Sequence, residues 1–119
     1  MSKINLPHNH NNFTYNEETL STLAKTEQFK QCSELLKLLC DSNRLRIFFL
    51  LHNSEECVLN IATLVDMSSP AVSHHLKQLK SSGLIVSHRV GKEMYYKASD
   101  SDISKLLYNT LISLLGMPL

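Results

Sequence analysis

The sequence predicts a mainly α-helical domain carrying one small β-hairpin. Three observations support this. Apolar residues recur at three- and four-residue spacing over much of residues 19–82 and again over 101–115. A Gly91-Lys92 turn signal separates two strand-like runs, Leu84 to Val90 and Glu93 to Lys97. The composition, 43% apolar and 19% charged, suits a folded core, and 119 residues suit one domain with at most an added arm.

Residues 1–18 are polar, with the run Pro7-His8-Asn9-His10-Asn11-Asn12, and are expected to form a flexible N-terminal arm. Little in them can be buried to offset the entropy of ordering. The remainder, 19–119, is expected to be one folded domain. Its first helix is marked by Leu20, Leu23, Phe29, Cys32, Leu35, Leu36 and Leu39, a stripe on which Cys32 is expected to be buried. Cys40-Asp41-Ser42-Asn43 reads as a turn with Asp41 or Ser42 as the next helix cap. Residues 44–51 are apolar on nearly every side and should form the most buried helix. After the polar loop 52–56, Cys57-Val58-Leu59 reads as a short extended piece and 60–65 as a short helix.

Asp66-Met67-Ser68 is then a tight turn, and a helix is expected from Pro70 to about Ser82. Ser69 would cap it, and proline is tolerated where an N–H would go unpaired anyway. Ala71, Val72, His75, Leu76 and Leu79 form its inward stripe, and Gly83 ends it. The hairpin follows, with Tyr95 and Tyr96 read as packing residues. The last helix, 101–115, has the stripe Ile103, Leu106, Leu107, Leu111, Leu114 and Leu115, broadened by Tyr108 and Ile112.

Several function classes are disfavoured. No apolar run approaches the roughly 20 residues of a membrane span, so no membrane partner is expected. Three cysteines, none at CxxC spacing, point to a reducing cytoplasm rather than a disulfide framework. With three glycines and no GxGxxG, phosphate loop, HExxH or nucleophile elbow, an enzyme is not expected. The net charge of +1 conceals an uneven distribution. Residues 68–97 hold Lys77, Lys80, Arg89, Lys92 and Lys97 against Glu93 alone, whereas residues 1–67 are net acidic. Clustered positive charge is the usual footprint of a nucleic-acid surface.

A short helix, a tight turn and a second helix make a helix-turn-helix, and the basic hairpin after it makes a wing. A helix with small polar side chains near its N-terminus fits the major groove, about 12 Å wide, and lets the backbone approach closely. Ser73 and His74 are placed to meet base edges, with Lys77, Arg89 and Lys92 on the flanking phosphates.

The segments Asp41 to Ile47, Met67 to Leu79, Gly83-Leu84-Ile85 and Arg89 to Tyr96, in this order and spacing, resemble the ArsR/SmtB family of bacterial winged-helix repressors. The resemblance covers about residues 30–115. It implies a cytoplasmic homodimer, joined through its first and last helices. Such a dimer binds an inverted-repeat operator on double-stranded DNA and releases it when an inducer, commonly a metal ion, binds. Carried over by position, the DNA-reading residues are Ser69, Pro70, Ser73 and His74, with Lys77, Gln78, Arg89 and Lys92 beside them. Relatives often have Gln and Ser where this chain has Ser69 and Pro70.

The resemblance also implies where an inducer would bind. One family metal position spans paired C-terminal helices; here Asp100 and Asp102 occupy its first half, and Ser113 and Gly116, poor ligands, its second. The other uses thiolates beside the helix-turn-helix; here Cys57 matches, while Leu59 and Asn60 stand at further ligand positions. Cys57 with His8 and His10 of an arm from the other subunit would give three N/S donors, enough for zinc or another transition or heavy metal with one more donor. The alternatives are a thiol or redox switch at Cys40 and Cys57, or a winged-helix regulator with no small inducer.

Overall fold

A computed structural model of the chain describes residues 6–8 and 16–118; His10 lies outside them. Two compact units emerge, Met1–Cys32 and Ser33–Leu119. In the first, α1 (Glu17–Leu23) is capped by Asn16, whose side chain accepts the Thr19 N–H at 2.7 Å. Helix α1 thus begins inside the segment expected to be an arm. A second helix, α2 (Thr26–Leu38), starts after a break at Ala24-Lys25, where the expectation was one continuous helix. The break falls between Leu23 and Phe29, where Lys25 to Gln28 are all polar. Cys32 is exposed, contrary to the expectation of burial, and no residue of α2 is buried within the chain.

The second unit holds the core. Asp41 caps α3 (Ser42–Asn53), accepting the Arg44 N–H at 2.9 Å. A two-residue strand, β1 (Glu56–Cys57), leads directly into α4 (Val58–Val65). The extended piece is therefore shorter, and the helix starts earlier, than the sequence suggests. Asp66 takes a left-handed conformation, φ 56°, to turn the chain into α5 (Ser69–Ser81). The cap of α5 is Ser68, not Ser69: its hydroxyl accepts the Ala71 N–H at 3.3 Å, which puts Pro70 at the second helical position.

Gly83, at φ 81°, redirects the chain into β2 (Ile85–Val90), and Gly91, at φ 62°, turns it into β3 (Glu93–Ala98). Both glycines use backbone angles that are strained for any other residue. The strands pair antiparallel from Ile85 with Ala98 to Val90 with Glu93. Strand β1 pairs Glu56 with Tyr96 and Cys57 with Tyr95, so the sheet has three strands in the order β1-β3-β2, one more than the expected hairpin. Ser101 caps the last helix, α6 (Asp102–Leu114), rather than either flanking aspartate.

The core is built from Ile47, Phe48 and Leu51 of α3, Ile61, Ala62 and Val65 of α4, Val72, Leu76 and Leu79 of α5, Leu84 and Ile85 at the start of the sheet, and Leu111 of α6. Helix α5 buries four side chains and α3 three, so α3 is not the most buried helix. Its remaining apolar residues, Leu45, Phe49 and Leu50, instead line an open groove of about 530 Å3 with Leu64, Val65, Leu111 and Leu115. The architecture is a winged helix-turn-helix, with α4 and α5 as the helix pair and β2–β3 as the wing.

Candidate nucleic-acid interface

Helix α5 sorts its side chains by face. Val72, His75, Leu76 and Leu79 are buried, so the opposite face must look outward. Pro70, Ser73, His74, Lys77 and Lys80 are exposed there, and Ser69 and Gln78 are half-buried. The first turn combines the positive end of the helix dipole with small side chains, a surface that a phosphate or a base edge can approach closely. All eight residues expected to meet nucleic acid keep accessible surface, including Arg89 and Lys92 on the wing. Among the described residues, neither ion pair involves Lys77, Lys80, Arg89, Lys92 or Lys97. Their charge is available to an anionic partner.

The wing is braced at its base. His88 Nε2 lies 2.6 Å from Glu55 Oε1, and its ring stacks on Tyr95 with centroids 6.2 Å apart. Tyr96 packs on the core. The two tyrosines thus hold the hairpin, as the sequence suggests, and leave Lys92 at its tip.

Behind the exposed face lies a polar contact that sequence reasoning missed. His75 is 8% exposed, and its Nδ1 accepts a hydrogen bond from Arg44 Nε at 3.2 Å. Arg44 also donates to the Leu38 carbonyl at 2.8 Å. Burial holds the His75 imidazole below its ordinary value of 6.5; Asp41 pulls it up, while Arg44 and His74 push it down. The carboxyl of Asp41 is held below its usual 3.8, chiefly by the backbone N–H of Arg44. Sequence gave only a faint signal, an inward position for His75 and an Arg three residues after a cap.

A second buried link joins α6 to the junction of α5 and the wing. The Ser104 hydroxyl, fully buried, donates to the Leu84 carbonyl at 3.0 Å and lies 3.1 Å from His52 Nε2. His52 stacks on Tyr108 with centroids 4.2 Å apart, and burial lowers its pKa. The sequence treats both residues as filler in a loop and a helix.

The inducer positions are sparser. Cys57 is 7% exposed, ends β1 and precedes α4. Leu59 beside it is exposed, and the Asn60 amide donates to Glu56 Oε2 at 3.1 Å. Asp100 and Asp102 are exposed at the start of α6, and Ser113 and Gly116, near its end, offer no strong donor. Among the described residues, no three His, Cys, Asp or Glu side chains converge on a common point. The described donors of a single chain therefore do not by themselves make up a transition-metal centre at either position. Cys40 is exposed, and no described helix is long and apolar enough to cross a membrane.

Comparison with known proteins agrees with this geometry. Residues 41–87, from the cap of α3 into β2, match the sequence profile described as bacterial regulatory protein, arsR family. The cadmium resistance transcriptional regulatory protein CadC of Listeria innocua is 42% identical over 76 residues, 63% of this chain and 64% of that protein. The chain thus spans less than two thirds of that relative's length. A CadC homolog of Staphylococcus aureus is 31% identical over 99 residues, 79% of this chain and 82% of the relative. Among solved structures, the homodimeric winged helix-turn-helix DNA-binding domain of Mb0332 from Mycobacterium bovis superposes with a TM-score of 0.66. It is 32% identical and covers 77% of this chain and 83% of its own.

Proposed function

The chain belongs to the arsR family of bacterial regulatory proteins, and from that premise we propose that it is a homodimeric, sequence-specific DNA-binding repressor. The observation that carries the reading is the division of α5: an apolar face locked into the core, and an outward face of Ser73, His74 and Lys77 beside a basic wing. In this reading Ser73 and His74 meet base edges in the major groove. Ser69, Pro70 and Gln78 shape the approach, and Lys77, Arg89 and Lys92 neutralise phosphates. Two copies related by a two-fold axis read an inverted repeat with half-sites about one helical turn apart.

The test is a binding titration against a duplex selected from a random-sequence pool by the protein itself. Ser73→Ala and His74→Ala should each lose about 1–3 kcal/mol on that duplex and little on a scrambled one, because only base contacts carry sequence. Lys77→Ala and Lys92→Ala should weaken both duplexes alike and flatten the salt dependence by about one unit of slope per contact. Equal affinity of the wild type for selected and scrambled duplexes would falsify the reading.

Release by an inducer belongs to the same proposal. Cys57 is the cysteine beside the helix-turn-helix, and His8 and His10 of the partner subunit's arm are the further donors that would complete a zinc or heavy-metal site. The names of the relatives, CadC from cadmium resistance among them, favour a thiophilic ion as the inducer. Asp100 and Asp102 are the weaker candidates. DNA release is to be measured across a metal panel and an oxidant, with and without reductant. Cys57→Ser should abolish the metal response; release that survives it excludes this site, and release reversed by reductant transfers the role to a thiol switch.

A further inference from the structure

We propose that Arg44 and His75 are positioning residues for DNA binding, joined by a guanidinium–imidazole hydrogen bond that sets the reading helix α5 and exists only while the imidazole is neutral. The inference rests on the reading of α5 as the DNA-contacting helix. His75 directly follows His74 and points the other way, into the protein. One guanidinium ties three elements together there. Arg44 donates from Nε to His75 Nδ1 on α5 at 3.2 Å and from its terminal nitrogen to the Leu38 carbonyl at the end of α2 at 2.8 Å. Its own backbone N–H is held by Asp41, the cap of α3, at 2.9 Å.

The chemistry fixes the protonation state. Arginine has only donors and stays charged, so Nδ1 must supply the lone pair. The ring proton then sits on Nε2, which lies 4.0 Å from Asp41 Oδ1. An imidazolium has no lone pair. Protonation would place a hydrogen on Nδ1 against the Arg44 N–H and bring two cations into contact, with Asp41 as partial compensation. The charges acting on the ring are Asp41 and Arg44 from α3 and His74 from α5 itself. Helix α4 and strand β2 also pack on α5 and add none. Because α5 presents Ser73 and His74 on the turn that carries His75, losing the strut moves the base-reading residues first.

Two measurements test this. The imidazole 15N shifts of His75 in the wild-type chain at neutral pH should report a protonated Nε2 and a bare Nδ1; the opposite tautomer overturns the proposal without any variant. Affinity for the selected duplex is then followed from about pH 8 to about pH 5.5 for wild type, His75→Asn and Arg44→Lys. The Asn carbonyl offers a lone pair near the Nδ1 position and does not titrate. The wild type should weaken on acidification by about tenfold more than His75→Asn, since every other group at the interface is common to both. Arg44→Lys should bind about tenfold more weakly than wild type at pH 8, with a flattened pH profile. Parallel profiles for wild type and His75→Asn overturn the proposal while leaving DNA binding intact. Failure of the wild type to prefer the selected duplex at pH 8 sinks the functional reading instead.

Discussion

At the residue scale, two histidines decide how the fold answers to acid. Burial holds both His52 and His75 below the ordinary imidazole value of 6.5. The unfolded chain therefore takes up protons at a higher pH than the folded chain does. Stability is complete above about pH 6.5 and declines as pH falls from there toward the lowered folded values. Asp41 adds to the decline only below its unfolded 3.8, because its folded carboxyl is held down by Arg44. The urea midpoint should accordingly be level from about pH 8 to 7 and drop between 6.5 and 5; a midpoint that rises on acidification contradicts the assignment. The partner of His52 offers a sharper test. Ser104 is fully buried and links His52 to the Leu84 carbonyl. Ser104→Ala should lower stability by about 1–2 kcal/mol, since it leaves an imidazole N–H without its acceptor. The Leu84 carbonyl keeps the Ser99 N–H at 3.0 Å and is not stranded.

At the element scale, the cap of the reading helix separates what the sequence made legible from what it did not. The Ser-Ser-Pro run marks a helix start, but either serine satisfies the pattern; only the geometry assigns the role to Ser68. Ser68→Ala should cost about 1 kcal/mol in thermal or urea unfolding, and Ser69→Ala a few tenths at most. Equal costs would reverse the assignment. The period-3.6 stripe made α5 legible almost residue by residue, because it buries one face against the core, whereas of the α6 stripe only Leu111 and Ile112 are buried and Leu107 and Tyr108 pack partly against the core. The Gly91-Lys92 turn made the wing legible, because few residues accept its φ. Strand β1 was not legible. Two residues carry no periodicity, and Glu56-Cys57 becomes a strand only because Tyr95 and Tyr96 of the wing lie alongside to pair with it. The break before α2 was hidden for a related reason, since apolar residues at helical spacing on both sides read as a single stripe. The outward-facing residues of α5, proposed to meet DNA, were legible from the helix-turn-helix motif. The Arg44–His75 and His52–Ser104 contacts were not, because they join residues 31 and 52 positions apart, and no local pattern encodes such a pairing.

At the scale of the whole molecule, apolar surface is left over. Ile103, Leu106, Leu114 and Leu115 of the last helix are between 46% and 80% exposed, and Leu115 also borders the groove lined by α3, α4 and α6. Leu23 and Leu36 in the first two helices are 62% and 57% exposed. A lone chain of 13.5 kDa gains nothing from wetting so many large aliphatic side chains on three helices, whereas a second copy would bury them. The proposed homodimer therefore uses the first and last helices, and its consequence for DNA is quantitative. Each protomer carries one reading helix, so a monomer meets one half-site, and the dimer's second contact forms at the high effective concentration that tethering provides. Loss of that second contact costs about 10²–10⁴ in affinity without touching any DNA-facing residue. Leu106→Glu combined with Leu114→Glu should therefore halve the mass seen by sedimentation and weaken binding to the full inverted repeat by that factor. Binding to an isolated half-site should change little. Circular dichroism should stay unaltered, because neither leucine is in the core. A variant that remains dimeric would move the interface elsewhere. A monomeric wild type that still binds the inverted repeat tightly would remove the dimer from the account.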